Sequence, residues 1–121
     1  MALDEAEHRL FIGCRRKPMI VVMDTESGKE VTSVPIPEDT DDVFFDAKRK
    51  RIYASCGAGF IAVIRQIDAD HYETEAKIPT VKLARTSLFD PKRGRLYQVV
   101  PRHGDSAGPE IWVYQAQGGE S

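Results

Sequence analysis

The chain has 121 residues, of which 41% are hydrophobic and 30% charged, with a formal net charge of −2. That length suits one domain, the balance is that of an ordinary folded chain, and the near-neutral charge supplies no overall pull toward nucleic acid or anionic lipid. No apolar run approaches the ~20 residues of a membrane helix, and Met1-Ala2-Leu3-Asp4-Glu5-Ala6-Glu7 lacks the basic-then-apolar order of a signal peptide, so the chain as written is expected in the cytoplasm.

Short Val-, Ile-, Phe- and Tyr-rich runs between turn residues predict strands throughout. Met1-Ala2-Leu3 reads as the remainder of a first strand, Arg9 to Cys14 as a second and Met19 to Asp24 as a third. Glu26-Ser27-Gly28-Lys29 turns the chain into a fourth, Glu30 to Ile36. The series repeats as Val43-Phe44-Phe45, Arg51 to Cys56, Phe60 to Gln66 and Tyr72 to Ile78, with turns at Gly57-Ala58-Gly59 and Asp68-Ala69-Asp70. A third round contains Asp90 to Val100 and then Glu110 to Tyr114, with no fourth strand after it. Runs such as Met19-Ile20-Val21-Val22-Met23 are apolar on both faces, as strands covered on both sides are. No segment carries helical periodicity with caps.

Three segments align: Asp4 to Cys14, Asp46 to Cys56 and Asp90 to Val100. Each has Asp, a polar turn, Arg, then an aliphatic and an aromatic residue: Arg9-Leu10-Phe11, Arg51-Ile52-Tyr53 and Arg95-Leu96-Tyr97. The aspartates stand 42 and 44 residues apart, the period of a four-stranded propeller blade. The expected fold is therefore all-β: a partial β-propeller of about three four-stranded antiparallel blades, the last lacking its outer strand. Residues 1–117 form one repeat domain, with blades at about 1–40, 41–84 and 85–117, and 118–121 form a polar tail.

On these segments, and on the Asp24-Thr25-Glu26-Ser27-Gly28-Lys29 turn, the chain resembles the YVTN-type β-propeller repeat family, which includes surface-layer-like and YncE-like proteins. The resemblance spans nearly the whole chain and bears on fold, because such repeats serve binding, scaffolding and enzymatic propellers alike. Family members usually close a ring of about seven blades and are often exported, so a longer parent would be an exported protein. Three blades imply self-association, and a homodimer forming a six-bladed ring is expected.

Propeller ligands usually bind where loops lead into the innermost strands. Here those loops are Thr40-Asp41-Asp42 and Ala84-Arg85-Thr86, and the repeat offset sets Asp41 against Arg85 and Asp42 against Thr86. They read either as a pocket for a small polar or charged ligand, with a divalent cation conceivable on the two aspartates, or as an inter-blade salt bridge with an Asx turn. The second reading is weightier, and no metal or other cofactor is expected. On the same face, the loop from Arg102 to Glu110 adds His103 and Asp105 to the candidate ligand residues, although a Gly- and Pro-containing loop does not by itself hold a catalytic group rigid.

His8 and His71 fall in turns on the opposite face and read as exposed; no zinc-type spacing occurs. Cys14 and Cys56 hold equivalent positions in sheets ~10 Å apart, too far for a disulfide, and both read as buried core residues. Basic turns at His8-Arg9, Lys48-Arg49-Lys50-Arg51 and Lys92-Arg93-Arg95 could meet a polyanion, but solvated turns suffice and nucleic-acid binding is not expected. Trp112 and Tyr114 read as inter-blade core. The functional expectation is a non-catalytic binding or scaffold protein of unknown ligand; the alternative is a lactonase-like hydrolase with a polar or metal site at the channel mouth.

Overall fold

The computed structural model describes residues 1–118; the last three residues of the expected tail lie outside the described residues. All regular elements described are strands, eleven in number, and among the described residues no helix is long and apolar enough to cross a membrane. Sheet 1 contains β1 (Ala2–Asp4), β2 (Arg9–Cys14), β3 (Met19–Asp24) and β4 (Glu30–Pro35). Sheet 2 contains β5 (Thr40–Asp46), β6 (Arg51–Cys56), β7 (Phe60–Asp68) and β8 (His71–Pro79). Sheet 3 has three strands, β9 (Ser87–Asp90), β10 (Arg95–Val100) and β11 (Glu110–Gln115). Every pairing is antiparallel between strands adjacent in sequence.

The repeated Asp and the residue before the repeated Arg explain why the chain reverses where it does. Asp4 Oδ1 accepts the Glu7 amide at 3.3 Å, Asp46 Oδ1 the Arg49 amide at 3.2 Å, and Asp90 Oδ1 the Lys92 and Arg93 amides at 3.1 and 3.4 Å. Each aspartate thus satisfies donors that a tight turn would leave bare. His8, Lys50 and Gly94 then close the three turns in the left-handed region, at φ 57, 56 and 64°. Glycine alone adopts that conformation without steric cost. At Gly94 a Cβ would also come within 2.9 Å of the Arg49 guanidinium, which lies against this turn.

The sheets stack face to face through two cores. Phe11, Ile20 and Val22 of sheet 1 meet Val43, Ile52, Ala54, Cys56 and Ile64 of sheet 2. The other face of sheet 2, with Tyr53, Ile61 and Val63, meets Phe89 and Leu96 of sheet 3. Phe11 packs on Phe45 with ring centroids 5.1 Å apart, and Tyr53 on Phe89 at 5.2 Å. The first strands adjoin: β1 lies beside β5, and β5 beside β9.

Three details differ from expectation. The first strand of sheet 2 begins at Thr40, not Val43, because a bulge between Thr40 and Asp42 absorbs an extra residue and lets pairing with β6 continue. β7 and β8 extend their hairpin to Asp68 and His71. Both cysteines are free, but Cys56 is buried whereas Cys14 is half-buried. Cys14 follows Leu10 and Ile12 on the face of sheet 1 turned away from sheet 2, which no neighbour among the described residues covers.

Candidate functional site

One end of the stack gathers the starts of β5 and β9, the end of β10 and the linkers between sheets, and all six residues expected to bind ligand lie there. The linker Thr80–Thr86 folds back over the β6–β7 turn: the Thr80 amide donates to the Gly59 carbonyl and the Leu83 amide to the Gly57 carbonyl, both at 2.7 Å. The Gly57 amide in turn donates to the Asp39 carbonyl at 2.7 Å. Three chain segments are therefore laced together by backbone before any side chain acts.

Asp39 is the centre of the side-chain arrangement. Arg85 Nη1 donates to its Oδ2 at 2.8 Å, and Arg15 Nη2 donates to its Oδ1. One carboxylate so links the β2–β3 turn, the β4–β5 linker and the β8–β9 linker. Hydrogen bonds from Arg85 first, then Arg15, hold Asp39 below the usual carboxylate range. Gly57 makes room for this: a Cβ on it would lie 2.0 Å from Asp39 Oδ2. Asp39 and its repeat counterpart Leu83 both have positive φ, 63 and 71°. Asp tolerates that region, but an exposed Leu there is strained, and such strain gathers where the fold holds a particular geometry.

The residues expected from sequence divide into engaged and free groups. The Asp42 Oδ2 accepts the Ser87 amide at 2.8 Å, and the Ser87 hydroxyl is hydrogen-bonded to that of Ser55, so Asp42 fastens β5 to β9. Asp41, at the bulge, is exposed. The expected inter-sheet ion pair of Arg85 forms, but its acid is Asp39 rather than Asp41 or Asp42. The exposed Thr86 contributes its carbonyl, which accepts Gln98 Nε2 at 3.2 Å. Gln98 is fully buried and its Oε1 has no partner among the described residues. His103 Nδ1 lies 3.0 Å from the Pro101 carbonyl and must donate to it, and its ring stands edge-on to Trp112 at 5.8 Å. Asp105 is exposed in the same loop.

Arg15, Asp39 and Gly57 were not among the residues expected from sequence. The repeat offset pairs Asp39 with Leu83, the one signal that could have marked the linker. The role of Gly57 depends on a contact with a segment eighteen positions earlier, which no local pattern displays.

At the opposite end, His8 is exposed in a turn, as expected, whereas His71, also exposed, is the first residue of β8 and not part of the turn before it. Arg49 and Arg93 are held by their own repeat aspartates, at 3.3 and 3.0 Å, which removes two charges from the supposed basic patch. An apolar cleft of about 210 Å³ also opens between sheets 2 and 3, lined by Tyr53, Ile78, Phe89, Leu96 and Tyr114. Among the described residues, no three His, Cys, Asp or Glu side chains converge as metal ligands.

Fold and site together define an all-β chain of three stacked antiparallel sheets with an arginine–aspartate–arginine cluster at one end. Neither a family model nor a curated protein matches the chain.

Proposed function

We propose that the chain is a three-blade sector of a YVTN-type β-propeller and works as a non-catalytic binding or scaffold module. The sector reading is supported by two successive sheet–sheet joints built from equivalent positions, with the first strands side by side. A small anionic ligand at the Arg15–Asp39–Arg85 end is the binding reaction we favour. One carboxylate shared by two guanidiniums leaves a net positive charge, and planar N–H donors suit a carboxylate or phosphate. The observation that carries this reading is the positioning of Asp39: left-handed backbone, a glycine vacated for its carboxylate, and a linker laced over that glycine. A hydrolytic role has less behind it, because Asp42, Ser87 and Ser55 are spent on one another and His103 on a backbone carbonyl.

The test is an amide-resolved NMR titration with citrate and with inorganic phosphate. Saturable shifts at Asp39, Gly57, Leu83 and Arg85, weakened in Arg85→Ala, are expected. Unmoved amides at millimolar ligand would contradict the reading.

A further inference from the structure

Each sheet carries its repeated arginine on the face it turns to the next sheet. Arg9 of sheet 1 crosses to sheet 2, where Nε donates to the Ala69 carbonyl at 2.9 Å and Nη2 to Asp70 at 2.7 Å, both in the β7–β8 turn. Arg51 of sheet 2 crosses to sheet 3 and donates to the Gln117 carbonyl just after β11. Arg95 holds the same position in sheet 3. It is exposed, and its side chain lies 3.4 Å from Gln115 of its own sheet. The donor half of the lock is present for a third time, facing outward.

The surface around Arg95 is apolar. Register places Leu88, Tyr97 and Val113 across from one another on this face, with Val99 opposite Ile111. Leu88, Val99, Ile111 and Val113 are 63, 41, 59 and 55% exposed. Four large aliphatic side chains clustered this way mark an interaction surface rather than a solvated face.

The far side of the stack carries the complementary half. The outward face of sheet 1 presents Leu3, Leu10, Ile12, Val21 and Met23, paired by register while Phe11 and Val22 point the other way into the core. Beside them stands the exposed Thr25–Lys29 segment of the β3–β4 turn, with Glu26. It occupies the place in sheet 1 that the β7–β8 turn, the acceptor of Arg9, occupies in sheet 2.

We infer that the outward face of sheet 3 takes the outward face of sheet 1 of a second copy of this chain, with Arg95 reaching the β3–β4 turn of that copy, so that two chains close head to tail. This rests on the sector reading proposed above. Continuity selects this occupant: an existing joint, made twice within the chain, is made again between chains from an equivalent donor and an equivalent turn. Two such joints relate two copies by a closed two-fold, whereas an unclosed head-to-tail contact would grow a filament.

The experiment is light scattering at micromolar concentration on the full chain and on Val113→Asp and Val21→Asp, which place a charge on one face each. Twice the chain mass of 13.6 kDa is expected for the unsubstituted protein, and a single chain mass for each variant alone. Mixing the variants should restore a two-chain species, because one joint then joins two unsubstituted faces. Arg95→Ala, which removes only an exposed side chain, should weaken association about a hundredfold, the loss of roughly one charge-assisted hydrogen bond at each of the two joints.

A monomeric unsubstituted chain overturns the inference. So does a Val21→Asp protein that stays dimeric while Val113→Asp dissociates, since that result means sheet 3 pairs with its own copy. Amide hydrogen exchange separates this failure from failure of the sector reading. Protected β2, β6 and β10 amides in a monomeric chain overturn the dimer alone; unprotected ones overturn both.

Discussion

The two joints between sheets use the same repeat and pack differently. Between sheets 1 and 2, four strands face four: Phe11, Ile20, Val22, Ile52 and Ile64 are all fully buried, and Phe11 sits between Phe45 and Tyr72. Between sheets 2 and 3, four strands face three. The region beside β11 holds the apolar cleft, and the upper part of the joint is a polar layer of Asp42, Ser55, Ser87 and Gln98. A β4 or β8 equivalent is what fills the matching space in the first joint, where Val34 and Tyr72 contribute. Closeness of packing here follows from how many strands each sheet presents, with the repeat motif held constant.

Truncation should show that difference most strongly. Phe11→Ala is expected to cost about 3–5 kcal/mol, the full range for a large buried ring. Leu96→Ala, whose side chain borders the cleft, should cost only about 2 kcal/mol, because part of its surroundings is already open. Urea denaturation of both variants measures the contrast, and equal losses would erase it.

Alkaline titration reads the two joints separately. Burial pushes the Cys56 thiol, in the first joint, from 9.0 up to about 11. Burial first, then Asp46, pushes the Tyr53 hydroxyl, in the second, from 10.0 up to about 12. In both cases the folded state holds the proton more tightly, so stability is complete below the unfolded pKa and falls as pH rises. The loss should run from pH 9 to 11 for Cys56 and from 10 to 12 for Tyr53, about 3 kcal/mol each. Cys56→Ala should abolish the lower window and Tyr53→Phe the upper one in denaturation curves taken at stepped pH.

Two backbone substitutions sharpen the picture on a smaller scale. Gly57→Ala should cost about 1–2 kcal/mol by driving Asp39 off its arginines, and the Arg85 side-chain NMR signals should shift with it. Lys50→Gly should stabilise by up to about 1 kcal/mol, since φ 56° suits glycine and the exposed lysine side chain has little to lose. Thermal denaturation reads both.

Much of the strand layout was legible because it is local. Asp4, Asp46 and Asp90 cap their own turns, and alternation within β6 sends Ile52 and Tyr53 to opposite faces; a sequence pattern records both. The long start of β5 was not legible, because a bulge at Asp41 reads like loop until a partner strand continues to pair with it. Cys14 looked like Cys56 by repeat position, yet burial depends on what lies beyond sheet 1. At the candidate site, Arg85 could be read from its place before β9. Asp39 and Arg15 could not, since their meeting depends on the missing Cβ of Gly57 and on a linker crossing from sheet 2.

Three sheets stack in chain order through ring pairs that bridge them. A ¹³C-edited NOESY spectrum tests it directly. Cross-peaks between the rings of Phe11 and Phe45, and between those of Tyr53 and Phe89, are the predicted result. Their absence in a chain whose strands are otherwise formed would contradict it.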